Sequence, residues 1–97
     1  MEFLKKYNLT DEDITIIKNN NYDDVINVII YNKNNVCEVI DYFLSIGIET
    51  STLAQMLSDR LDLFMKSKDD FVQIFDKFNI DNLVTIINDD IANLKFI

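Results

Sequence analysis

Lys6-Tyr7-Asn8-Leu9 followed by Thr15-Ile16-Ile17, and Lys77-Phe78-Asn79-Ile80 followed by Thr85-Ile86-Ile87, are two copies of one pattern that differ by one residue in spacing. Between them lies Phe43, so the aromatics Tyr7, Phe43 and Phe78 recur at intervals of 36 and 35 residues. The segments C-terminal to each copy also match. Asp23-Asp24-Val25-Ile26-Asn27-Val28 resembles Asp89-Asp90-Ile91-Ala92-Asn93-Leu94, and Asp59-Arg60-Leu61-Asp62-Leu63-Phe64 fills the corresponding slot in the middle. Self-similarity at such a period is the signature of stacked structural repeats, each hiding its apolar face only against its neighbours.

The apolar spacing inside each copy is helical. Val36, Val39, Ile40 and Phe43 stand at i, i+3, i+4, i+7, as do Phe71, Ile74, Phe75 and Phe78, and each set lines one face of a helix. Leu53-Met56-Leu57 and Leu83-Ile86-Ile87 repeat a shorter stripe after polar turns. Zero Pro and one Gly leave Asn, Asp, Ser and Thr to mark the turns, and Ser67 with Asp70 three residues later reads as a helix cap with a first-turn carboxylate. Each unit therefore reads as three helices: 2–7, 11–19 and 22–31, then 35–46, 51–58 and 59–66, then 68–78, 82–88 and 89–97. The β-branched run from Val25 to Tyr31 could also form a strand, but it has no partner strand elsewhere, and a helix is expected. The fold expected is all-α: one domain over 1–97, built as a short right-handed-type solenoid of about three three-helix repeats with units near 1–33, 34–66 and 67–97.

A chain of 97 residues and 11.4 kDa buries roughly 60–65% of its unfolded surface, enough for one core. The apolar fraction is 48%, the charged fraction 27% and the mean hydropathy +0.02, a globular composition. With no His and one Cys there is no Cys/His zinc cluster, no Ser-His or Cys-His pair and no intrachain disulfide. Cys37 has no basic neighbour within a helical turn and reads as an inert thiol. No cofactor is expected, and the chain is not expected to be an enzyme.

Seventeen Asp+Glu against nine Lys+Arg give a net charge of −8 and a pI near 4.2. Such a surface repels nucleic-acid phosphates and anionic membranes and favours a basic protein partner. The N-terminus carries no signal-peptide pattern and no apolar run reaches the ~18 residues of a membrane span. An intracellular, cytoplasmic protein with Cys37 reduced is expected.

Phe43-Leu44-Ser45-Ile46-Gly47-Ile48, then Leu53 and Leu57, then Arg60-Leu61-Asp62-Leu63-Phe64 with Ser67, then Phe71, Phe75 and Phe78 before Ile80, resemble the repeat of mitochondrial transcription termination factor-like proteins. The resemblance covers most of 36–94, with an echo at 3–31. It implies repeats of two α-helices and a short third helix, stacked into a curved solenoid that binds nucleic acid.

The carboxylates at the third-helix starts are the candidate contacts. Asp23, Asp24, Asp59, Asp62, Asp89 and Asp90 are expected to form a partner-binding acidic face, or to act only as caps of helix N-termini. Asp11-Glu12-Asp13 and Asp69-Asp70 carry the same capping expectation. Asn19 to Asp24 superficially suggests a calcium loop but lacks its central Gly and terminal Glu, so no metal site is expected. Ile91, Leu94, Phe96 and Ile97 either fold back on their own unit or form an apolar patch for a two-fold homodimer through the C-terminal helix. The leading expectation is a non-enzymatic protein-binding module, an inhibitor or adaptor of the physical type of anti-restriction and anti-CRISPR proteins, engaging a basic nucleic-acid-handling partner. The alternative is a termination-factor-like domain that binds nucleic acid itself.

Overall fold

The computed structural model describes residues 1–97, and every regular element in it is helical. Six α-helices carry the chain: α1 Asp11–Asn20, α2 Asp23–Tyr31, α3 Lys33–Ser45, α4 Thr50–Asp59, α5 Lys68–Phe75 and α6 Ile80–Asp89. Three short 3₁₀ segments, Glu2–Tyr7, Leu61–Met65 and Ile91–Leu94, complete it. The all-α expectation holds, and the β-branched run 25–31 is helical within α2. Ile26 and Ile29 are buried there, and its stability comes from that packing in place of intrinsic propensity.

Local chemistry explains where the helices begin. Thr10 Oγ1 accepts from the Asp13 N–H at 3.1 Å while the Thr10 N–H donates to Asp13 Oδ2 at 2.9 Å. Ser67 and Asp70 repeat this reciprocal cap ahead of α5 at 3.1 and 3.3 Å. Each cap satisfies two N–H groups that a helix start leaves unpaired. Asn79 caps α6 through its side-chain oxygen. The echo between Thr15 and Thr85 extends to the backbone, since each hydroxyl donates to the carbonyl four residues earlier, Asp11 and Asp81, at 2.9 Å.

Four segments differ from the sequence reading. The spans 59–66 and 89–97 contain 3₁₀ segments of five and four residues, not α-helices, because the backbone breaks at Arg60 (φ −135°) and Asp90 (φ −159°) before the turn can propagate. Runs this short are where 3₁₀ geometry is ordinarily found. The segment 2–7 is likewise 3₁₀. The helix expected over 68–78 stops at Phe75, since Asn79 must be extended to cap α6 and the chain turns over 76–78. Phe78 thereby leaves the core stripe. It is 48% exposed, whereas Phe71 and Phe75 are buried.

The core centres on Phe43 of α3. Its ring meets Phe71 at 4.8 Å and Phe64 at 5.8 Å edge-on, and lies nearly parallel to Phe75 at 6.2 Å. Edge and offset contacts of this kind add about 0.5–1.5 kcal/mol each beyond area burial. Leu53, Met56 and Leu57 of α4, Leu61 and Leu63, Ile14 and Ile17 of α1, and Leu83, Val84 and Ile87 of α6 continue the same apolar cluster. The turns from the long segment to the next helix are left-handed at Asn8 (φ 66°) and Gly47 (φ 108°). At Gly47 a Cβ would also meet Val84 Cγ1 at 3.3 Å, so the turn both needs the φ that glycine tolerates and lies against α6. Burial raises the Tyr7 and Tyr42 phenols above the ordinary tyrosine range, with Cys37 reinforcing it for Tyr7 and Asp76 for Tyr42.

The stripe makes a direct comparison possible. Phe75→Ala should cost about 3–5 kcal/mol as a large-to-small core change. Phe78→Ala should cost well under half of that because the ring already touches water. Paired urea melts check this, and equal losses would show that Phe78 is buried with Phe75.

Candidate functional site

Hydrogen bonds between segments distant in sequence assemble the site. The Asn20 amide donates to Ser58 Oγ, and the Asn21 amide donates to the Ser58 carbonyl at 3.2 Å, so the C-terminal ends of α1 and α4 are tied side by side. Both helices also line one groove, with Asp13 and Thr50 near their starts, so they run parallel. Next in the chain after α4, Arg60 reaches forward to the last segment. Its Nη2 donates to the Ile97 carbonyl at 2.8 Å and its Nη1 to the Leu94 carbonyl at 3.4 Å. Asn93 folds back to the Ile86 carbonyl at 3.1 Å. The ends of α1 and α4 and the C-terminal segment therefore gather along one edge of a body measuring 35 × 23 × 23 Å.

Asp23, Asp24, Asp59 and Asp62 flank these junctions, Asp89 and Asp90 follow Asn88, whose side chain bonds to the turn before α4, and all six are exposed. They do not share one structural role. Asp23 and Asp24 occupy the first turn of α2, where the positive end of the helix dipole favours them, although the cap itself, Tyr22, makes no side-chain bond. Asp90 Oδ1 accepts from the Ala92 N–H at 2.9 Å and caps the last 3₁₀ segment. Asp62 is engaged by the Arg60 guanidinium through both oxygens at 3.1 and 3.2 Å. Asp59 and Asp89 are different: each is the last residue of its helix, α4 and α6, where the dipole disfavours negative charge. Neither forms an ion pair. Of the other acidic clusters, Asp13 and Asp70 close the reciprocal caps. Asp11 shares Lys5 Nζ with Glu2 at 2.8 and 2.9 Å, an arrangement that holds Asp11 below the ordinary carboxylate range and Lys5 above the ordinary lysine range.

The C-terminal residues separate. Leu94 is fully buried in the core, and Ile91 and Ile97 are partly buried against it, so these three fold back. Phe96 alone stays on the surface at 46% exposure, beside Phe78 with ring centroids 5.2 Å apart. Arg60 and the amides of Asn20, Asn21 and Asn88 are the residues that sequence reasoning does not single out. Asn88 accepts from the Glu49 N–H and donates to the Gly47 carbonyl, both at 2.9 Å, which pins the α3–α4 turn to α6. One signal is present: Arg60 is the single arginine of the chain, and its planar fork suits a carboxylate and two carbonyls at once.

No three acidic or thiol side chains converge in a way that could hold a metal ion. Cys37 is a free, partly buried thiol. No helix is long and apolar enough to cross a membrane. No known protein family, characterised protein or solved structure matches this chain.

Arg60→Ala should release the C-terminal segment while leaving the aromatic core intact. Hydrogen exchange of the 91–97 amides should rise at least about tenfold, and stability should fall by about 1–2 kcal/mol, the scale of a few lost hydrogen bonds. Unchanged exchange there would show that apolar packing of Leu94 alone holds the segment.

Proposed function

We propose that this chain is a non-enzymatic protein-binding module, an inhibitor or adaptor, whose acidic edge engages a basic surface on a partner that handles nucleic acid. In this reading its three helix triplets, near 1–33, 34–66 and 67–97, form a short solenoid of the termination-factor-like kind, with the edge running across the ends of the stacked second helices. The observation that carries the proposal is the placement of Asp59 and Asp89. A carboxylate at a helix N-terminus explains itself by capping, but one at a C-terminus opposes its own helix and has no structural return here. Recurrence of that placement in two helices, with Asp23, Asp24 and Asp90 also exposed, is what a surface selected for a cationic partner requires. The partner could be captured without chemistry on this chain, consistent with its lack of a His base. Direct nucleic-acid binding, which the family resemblance implies, would work against a net charge of −8.

The double substitution Asp59→Lys/Asp89→Lys separates recognition from folding. Because lysine is favoured at a helix C-terminus, the variant should melt at or above the wild-type temperature. In affinity capture from the cells that carry the protein, the wild type should retain basic proteins that elute as salt is raised, and the variant should lose them. Retention of the same proteins by both would contradict the acidic edge. A shift of duplex DNA or RNA by the wild type at micromolar concentration in about 150 mM salt would promote the nucleic-acid reading instead.

A further inference from the structure

The parallel pair α1 and α4 leaves an open groove of about 540 Å³ along its length, within the size range of small-molecule sites. Its lining is ordered along the axis. Asp13 marks the end where both helices start and Asp59 the end where α4 finishes, with Ile16 and Ala54 forming the apolar floor between them, and Ser51 and Gln55 adding hydroxyl and amide groups. No lysine or arginine lines it. One Asp13 oxygen accepts from the Thr10 N–H, the other oxygen has no partner within the chain, and Asp59 has none for either. Since Asn20 and Ser58 are level, Asp13 is level with Ser51, and at 1.5 Å rise per residue the two carboxylates stand about 11–12 Å apart along the axes.

We propose that this groove is a binding site for a linear polyamine. The terminal ammonium groups would meet Asp13, beside the Ser51 hydroxyl, and Asp59, the methylenes would lie on Ile16 and Ala54, and a central ammonium would donate to the Gln55 carbonyl oxygen. A triamine of spermidine length spans the two carboxylates, whereas a four-carbon diamine reaches only one at a time. A hydrated divalent cation matches neither the length nor the apolar floor. The site goes beyond the partner-binding edge, with which it shares only Asp59.

The test is a titration of the whole protein with spermidine, followed by backbone amide shifts, with 1,4-diaminobutane and magnesium at matched ionic strength as references. Spermidine should shift amides of Ile16, Ser51, Ala54 and Gln55 in a saturable way. It should bind about two- to fivefold more tightly than the diamine, the worth of one further exposed ion pair. Asp59→Asn should reduce affinity by a similar factor. Ala54→Leu, which fills the floor and leaves every charge in place, should remove the localised shifts. If that variant does not fold, Ser51→Leu at the exposed rim serves the same purpose. Because Ala54→Leu and Ser51→Leu keep the acidic edge, capture of a basic protein can persist or fail independently of polyamine binding. Shifts spread over all the acidic caps, equal for spermidine and magnesium, would overturn the proposal as a diffuse ion atmosphere.

Discussion

The ring of Phe43, with no exposed surface, packs edge-on against Phe64 and Phe71 and nearly parallel to Phe75. Three segments must therefore arrive at one point: α3, the 3₁₀ segment 61–65 and α5. A protein of this size is stabilised by only about 5–15 kcal/mol, so a set of contacts each adding about 0.5–1.5 kcal/mol to the burial of large rings holds a decisive share. Once those segments are fixed, α4, which joins α3 to the 61–65 segment, has to pack against both. Its Leu53, Met56 and Leu57 bury inward, and its other side is left to meet α1.

The surface features derive from that placement. With α4 fixed, the amides of Asn20 and Asn21 can close on Ser58, and Arg60 lies where it can grip the last segment. The ends of α1 and α4 are thereby brought to the last segment, and the carboxylate of Asp59 comes with them, while Asp89 follows Asn88, which bonds at the start of α4. The groove between α1 and α4 is the other consequence. Parallel helices bridged at their ends, with alanine and isoleucine between them, leave space that larger side chains would have closed. Charge enters last: nine cationic residues are scattered over an acidic surface, and while Arg60 pairs with Asp62, Asp59 and Asp89 form no ion pair and no Lys or Arg lines the groove.

The helices and their starts are legible in the sequence because they depend on local chemistry. The Val36/Val39/Ile40/Phe43 stripe and the Ser67/Asp70 pair operate within a few residues, and the structure uses both. The same locality misplaces Phe78. Its spacing continues the α5 stripe, but whether the helix reaches it depends on the start of the next one. The third-position segments are misread in type, since four or five residues between backbone breaks carry too little periodicity to separate α from 3₁₀. The six aspartates are legible as residues, but their sorting into caps, an ion-paired Asp62 and the opposed Asp59 and Asp89 depends on where each helix stops and on what Arg60 reaches. The ties made by Arg60, Asn21 and Asn88 lie out of reach of sequence reasoning, each bridging partners more than 30 positions apart.

A core fixed at Phe43 also sets where the molecule can open. Helix α2 presents Val25, Val28 and Tyr31 to solvent and buries only Ile26 and Ile29, whereas α3 buries Val36, Val39, Ile40 and Phe43, so α2 is held less firmly than α3. Native-state hydrogen exchange resolves this residue by residue. Amides of 39–44 and 71–75 should exchange only through global unfolding, while those of α2 should exchange through local openings of much lower free energy. Protection in α2 equal to that in α3, or local opening of α3 itself, would contradict the central place given to Phe43.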